Sequence, residues 1–256
     1  VLPQNKYDYT LRKDEIGTLH NQFDVMAKKI QTLINENYKN ELLRKDMMLK
    51  NLQNQINPHF LYNTLESINW RAKASGEKEI SQMVEALGAL LRTSLSSHPD
   101  ISTIKNELQI VRNYITIQKI RFEDRLLYSE NIDPSVPDCE IPLLTIQPLV
   151  ENAIRYGLEV NIDACTIAVN AFHANGDIII QIINDGSQFE DDTLEKLISH
   201  QMLPHGFGIG ILNIQKRIQM IYGGQYGIKL KNIDEEHAMS EIILPMRKIQ
   251  EGEKHD

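Results

Sequence analysis

From Asp14 to about Ser97 apolar residues recur at helical spacing, with no glycine between Gly17 and Gly76, and the pattern predicts helix throughout. Leu19, Phe23, Met26, Ile30 and Leu33 step by 4, 3, 4 and 3, the seam of a coiled coil. A second series, Tyr38, Leu42, Lys45, Leu49, Leu52 and Ile56, alternates in the same way. Ile30, Ile34 and Tyr38 join the two by successive steps of four, a stutter that locally unwinds the supercoil and suits the passing on of a twist. A dimer is expected. Lys73 to Glu77 supplies a turn, and Met83, Val84, Leu87, Leu90, Leu91 and Leu95 form the apolar face of a returning helix. Two such hairpins from two chains make a four-helix bundle. His98-Pro99-Asp100 breaks the run; Ser102 or Thr103 can then cap a helix with core face Ile104, Leu108, Val111 and Ile115 that continues to about Phe122.

After Asp124 the period changes. Leu126–Ser129 and Thr166–Phe172 read as strands, and Ile178–Ile183 is a nearly continuous apolar run of the kind found in a buried strand. Helical patterns cover Leu143–Tyr156, Thr193–His200 and Ile209–Tyr222, and two last strands fit Gly227–Lys231 and Glu241–Pro245. Asn131–Pro142, with three prolines, reads as a loop, and the charged tail from Lys248 as loose. The expected class is therefore α plus α/β: a long coiled-coil helical hairpin followed by a mixed sheet covered by helices.

Composition narrows the function. A length of 256 residues fits one large or two ordinary domains. The net charge is −8 with no long basic run, which argues against nucleic acid as a partner. Cys139 and Cys165 have no metal-ligand spacing and fit buried thiols in a reducing compartment. No stretch of about 18 apolar residues is present, although the chain begins at Val1 and membrane segments upstream are compatible with it.

Four local patterns carry chemistry. In Gln55–Asn63 a proline and then His59 interrupt a strongly helical run, so the helix should bend at Pro58; Asn63, four residues on, shares the face of His59 and can orient a water or a phosphoryl group beside the imidazole. In Gln147–Gly157 the apolar side leaves Asn152 and Arg155 on a polar edge, where an amide oxygen suits Mg2+ and a guanidinium suits anionic oxygens, although such an edge can also be plain surface. Asn184-Asp185-Gly186 follows the apolar strand; it is either a simple turn or a strand-end acceptor for an adenine amino group. Gly206, Gly208 and Gly210 open a helix, where backbone N–H groups can approach phosphates, but their spacing is not the dinucleotide fingerprint.

Together these four patterns resemble the sensor histidine kinases of the YesM/LytS type. QINPHFLYN (55–63) matches the phosphoacceptor segment, and QPLVENAIRYG (147–157), NDG (184–186) and GFGIGILNIQKRIQMIYGG (206–224) resemble the ATP-binding GHKL sandwich. Asp14-Glu15-Ile16-Gly17 with Leu19, Phe23 and Met26 resembles the second helix of a HAMP relay, which implies membrane segments upstream and a cytoplasmic kinase portion. The implied organisation is a partial HAMP coiled coil (1–37), a dimerisation and phosphotransfer domain (38–124), an ATP-binding domain (125–248) and a tail (249–256). The resemblance implies ATP and Mg2+ as cofactors, with autophosphorylation of His59 followed by transfer to an aspartate of a response regulator. Asn152 is then the Mg2+ ligand, Arg155 supports phosphate charge and the Gly206–Gly210 amides cradle it. Asn184, Asp185 and Gly186 meet adenine, Asn213 and Arg217 assist, and Glu151 is the candidate base.

Three departures from the pattern matter. Asn184 stands where the family has Asp and Gln188 where it has a second Gly, so affinity for ATP can be reduced or Asp185 can substitute. Tyr156 replaces a common His, and Phe60 follows His59 where many histidine kinases carry an acid. Two alternatives remain open on these grounds: a degenerate kinase acting as a dimeric scaffold, and a GHKL ATPase. Against the latter, Pro148 occupies the place of the water-activating Glu of gyrase-type ATPases.

Overall fold

The structure, a computed structural model, describes residues 14–55, 57–95, 101–159, 164–185, 188–190, 196 and 207–248. Residues up to Pro58 form one compact unit and those from His59 a second. Among the described residues the first unit holds one long helix, α1 (Glu15–Gln55). Its seam residues Leu19, Phe23, Met26, Ile30 and Leu33 are all exposed, at 67, 62, 58, 46 and 48%. Of the second series only the exposed Lys45 has a described side chain; the remaining five lie outside the described side chains.

The bend expected at Pro58 is instead a helix boundary. α1 closes at Gln55, Asn57 is irregular, and Pro58 is the first residue of α2 (Pro58–Ala74). At a first helical position the missing N–H is one that would lack a partner anyway, and the fixed φ is already helical, so the proline costs nothing there.

α2 ends in a glycine cap: Gly76 has φ 78°, its N–H donates to the Lys73 carbonyl at 3.2 Å, and the Glu77 N–H reaches the Ala72 carbonyl at 2.9 Å. That pair of bonds turns the chain into α3 (Lys78–Leu95), as the Lys73–Glu77 turn predicts. Polar contacts pin the hairpin together. Ser81 Oγ donates to Asn69 Oδ1 at 2.6 Å, Asn69 Nδ2 to Glu85 Oε1 at 3.1 Å, and Lys73 Nζ pairs with Glu85 at 2.7 Å.

Next come β1 (Ile101–Thr103) and α4 (Ile104–Phe122), with Thr103, one of the two residues expected to cap it, accepting from the Asn106 N–H at 3.1 Å. A 3-10 turn (Glu123–Arg125) leads to β2 (Leu126–Ile132). The proline-rich segment read as loop contains a short strand, β3 (Glu140–Pro142), antiparallel to β1. α5 (Gln147–Ile154) is shorter than its pattern and passes into a π-helical turn, Arg155–Glu159. β4 (Cys165–Ala174) and β5 (Asp177–Asp185) follow, then α6 (Phe207–Tyr222), β6 (Gly227–Asn232) and β7 (His237–Pro245). In the expected helix Thr193–His200 only Lys196 is described, and it is helical; the tail beyond Lys248 lies outside the described residues.

The main sheet has the order β2-β4-β5-β7-β6, with β2 and β4 parallel and the other pairs antiparallel. β5 alternates in burial rather than being covered on both sides, although its sequence is continuously apolar. Ile178, Ile180 and Ile182 enter the core; Ile179, Gln181 and Ile183 face the other way and are half-buried. One sheet face therefore carries the helices. Ile104, Leu108, Val111 and Ile115 of α4, Leu149, Val150, Ala153 and Ile154 of α5, and Ile211, Ile214 and Ile218 of α6 all belong to the core formed with β4, β5 and β7. Burial of this apolar surface is the main drive for the two-layer sandwich. Among the described residues no helix is long and apolar enough to cross a membrane.

Candidate active site

His59 is the second residue of α2, and its side chain is exposed. The Asn63 amide nitrogen lies 3.3 Å from its Nε2 and 3.4 Å from its Nδ1. Near-equal distances to both ring nitrogens mean that the amide points along neither lone pair, because those two directions diverge in the ring plane. The i, i+4 spacing thus brings together the two side chains that the sequence pairs. One turn on, the Arg92 guanidinium of α3 stacks 5.6 Å from the centre of the Tyr62 ring, a cation–π contact between the two arms of the hairpin.

The remaining described candidates lie on α5 and the turn after it, at the end of β5 and at the start of α6, and α5 contacts both β5 and α6. Glu151 is exposed and Asn152 half-buried on α5; Arg155 and Tyr156 follow, exposed, in the π-helical turn. Gly157 closes the approach. A β-carbon there would clash with Sγ of Cys165 and stand 3.4 Å from the Asp185 carbonyl oxygen. Only glycine lets the turn lie against the end of β5, so a residue without a side chain sets the spacing between the Asn152 helix and the Asn184-Asp185 strand end.

Asn184 is 5% exposed and its Nδ2 donates to the Asp185 carbonyl at 3.2 Å. Asp185 Oδ1 accepts the Thr166 N–H at 2.7 Å, which ties this carboxylate to the start of β4. The chain leaving β5 is held by the β6–β7 connection: Asn232 accepts the Phe189 N–H at 2.9 Å and donates to the Phe189 carbonyl at 2.8 Å, and Gln188 Nε2 donates to the Asp234 carbonyl at 3.0 Å. Gly186 and Gly206 lie outside the described residues. Gly208 and Gly210 sit within the first turn of α6, and a β-carbon on Gly210 would meet nothing within 4 Å, so its outer side is open. Asn213 is exposed one turn further along.

Arg217, expected to assist, is engaged with the start of α5: its Nη2 donates to the Leu144 carbonyl at 3.0 Å and to Thr145 Oγ1 at 3.4 Å. Glu107 escaped the sequence reading altogether. It is fully buried, and its carboxylate accepts the N–H groups of Leu144, Thr145 and Ile146 at 2.6, 2.8 and 2.9 Å. Burial pushes its carboxyl above the usual range, while the three amides and the Arg217 charge pull it back.

An exposed imidazole and a half-buried amide edge with an open helix start are suited to a nucleophile and to an anion-binding pocket, respectively.

One family model and three relatives bear on this arrangement. A family model described as "Histidine kinase" matches residues 47–126. The chain is 46% identical over 235 residues, 92% of its length, to a sensor histidine kinase YesM of Bacillus subtilis. It is 32% identical over 87% of its length to a sensor protein LytS of Oceanobacillus iheyensis, and 28% identical over 78% to a sensor histidine kinase BtsS of Escherichia coli. It spans 40, 39 and 33% of those three relatives.

Proposed function

The chain belongs to the sensor histidine kinases of the YesM/LytS type, and from that premise we propose that it transfers the γ-phosphoryl group of ATP to His59 and then to an aspartate of a response regulator. The observation that carries this reading is the exposure of His59 on the first turn of α2, beside Asn63. An unprotonated ring nitrogen attacks the γ-phosphorus, the bond to the ADP oxygen breaks, and the proton on the opposite nitrogen leaves to a base. Glu151, exposed next to Asn152, is the proposed base.

The donor set fits Mg2+. Asn152 offers a neutral hard oxygen on an edge open to solvent, and the cation, when bound, neutralises charge on the phosphates. Arg155, exposed in the turn that follows α5, is the proposed partner of anionic oxygens, Tyr156 borders them, and the amides at Gly206, Gly208 and Gly210 cradle the phosphates with Asn213 beside them. Asn184, Asp185 and Gly186 are the proposed adenine edge; Asn184 supplies an amide where a carboxylate is usual, so recognition there rests on hydrogen bonding without charge. Transfer requires α2 and this pocket to come together, and we assign that to movement of the nucleotide lobe.

The exposed seam of α1 supports a homodimer, since a run of large apolar side chains at coiled-coil spacing is stabilised by a second copy. ATP and receiver domains are cytoplasmic, so we assign the kinase to that side of a membrane-anchored sensor. A second reading, a nucleotide-poor scaffold, is favoured by Asn184. Incubation with γ-labelled ATP and Mg2+ separates the two. Acid-labile, base-stable label that disappears in His59→Gln is the kinase outcome; no label on the wild type is the scaffold outcome; phosphate release unchanged by His59→Gln is that of an ATPase.

A further inference from the structure

We infer that Glu107 is a positioning residue for nucleotide binding: it registers α4, α5 and the Arg217 end of α6 at one buried point. The inference deepens the kinase reading and rests on it for the identity of the ligand.

α5 has no side-chain cap of its own. Ile146 stands at its cap position, and the hydroxyl of Thr145 is turned to the Pro142 carbonyl at 2.5 Å. The N–H groups of residues 144–146 converge on Glu107, helped by Leu144, whose φ of 56° is left-handed and turns successive amides toward one acceptor. A local Ser or Asp would cap a helix start at no cost of buried charge. A fully buried carboxylate from 37–39 residues away provides something a local cap does not, which is a fixed relation between two helices.

Arg217 completes the junction from the third helix, through the Leu144 carbonyl and Thr145 Oγ1. The residues proposed to meet Mg2+ and phosphate begin one turn away on either side: Glu151 and Asn152 on α5, Asn213 and Gly210 on α6. α5 is eight residues long, so a shift at its start is carried to Asn152 almost undiminished. α4 is also fastened to the sandwich by β1 against β3 and by the Ile104 N–H on the Cys139 carbonyl at 3.0 Å. The added effect of Glu107 is therefore local to the α5 start rather than the attachment of α4 as a whole.

The test is equilibrium binding of Mg–ATP to the full chain by titration calorimetry, with melting temperature and autophosphorylation measured alongside. Glu107→Gln keeps the size but loses the charge and turns an NH2 toward three donors. It is expected to weaken Mg–ATP binding about tenfold, the scale of one lost charge-assisted hydrogen bond, while the rate at saturating ATP stays within about threefold of wild type. Glu107→Asp keeps the charge on a shorter arm and should restore most of the affinity, leaving a deficit of about threefold. A lowered melting temperature with unchanged affinity in Glu107→Gln would mean that Glu107 is merely structural and would overturn the inference; should Glu107→Gln not fold, a lowered melting temperature with unchanged affinity in Glu107→Asp does the same. A wild type that binds Mg–ATP but leaves His59 unlabelled defeats the kinase reading while the binding comparison stands. A wild type that binds no Mg–ATP overturns both.

Discussion

Gly157 and Cys165 are packed so closely that a β-carbon on Gly157 would clash with the sulfur of Cys165, with the Asp185 carbonyl oxygen 3.4 Å from that β-carbon position. The turn that follows α5 and the end of β5 meet at this point, so its packing governs the shape of the proposed pocket.

Gly157→Ala should therefore destabilise the sandwich by about 1–3 kcal/mol, the usual cost of overpacking. Cys165→Ala in the same chain removes the sulfur, and the double variant should recover part of the loss, because the two sites are in direct contact and cannot add independently. Urea unfolding of the four chains measures the coupling; strictly additive losses contradict the contact.

The His237–Asp234 pair sets a pH dependence. His237 Nδ1 lies 2.8 Å from Asp234 Oδ1, and the bond raises the imidazole above its ordinary 6.5. Asp234, bonded to the Glu236 N–H and to the imidazole and N–H of His237, is held below its ordinary 3.8. The raised imidazole stabilises the fold fully below pH 6.5 and loses that contribution as pH rises through its folded value. The lowered carboxylate stabilises fully above pH 3.8 and loses its contribution as pH falls through its own folded value. Both act together between those limits, where the turn that holds Gln188 is firmest. An NMR titration should find the His237 midpoint above 6.5 and falling in Asp234→Asn; an unmoved midpoint contradicts the pairing.

Much of this architecture is written locally. The Thr103 cap, the Gly76 turn and the core face Ile104, Leu108, Val111 and Ile115 each follow from a few neighbouring residues, and all form as the pattern predicts. What the pattern misses is non-local. β1 and β3 have three residues each and pair across nearly forty positions, so neither carries a periodic signal. Glu107 looks like a solvated charge in the first turn of a helix, and the amides that donate to it, those of residues 144–146, lie far along the chain. Pro58 was legible as an interruption of the helix but not as a start, because the same residue type serves both. At the site, the i, i+4 pairing of His59 with Asn63 follows from helical geometry alone, whereas the packing of Gly157 on Cys165 requires the fold.

Asn63→Ala separates the two chemistries proposed for α2. The amide can orient a water beside the imidazole, a contribution of the order general-base catalysis supplies, about 10²-fold or more. Autophosphorylation should remain within about threefold of wild type, while removal of phosphate from the regulator should fall at least about tenfold. Unchanged phosphatase activity in a purified two-protein assay rejects that role for Asn63.

The central claim is that the imidazole of residue 59 carries the phosphoryl group, and tandem mass spectrometry under alkaline conditions, after brief reaction with Mg–ATP, reads this directly. One phosphate per labelled chain is expected, located on His59 in the peptide that contains Asn63. A phosphate on any other histidine, or on a serine or threonine that survives acid, contradicts it.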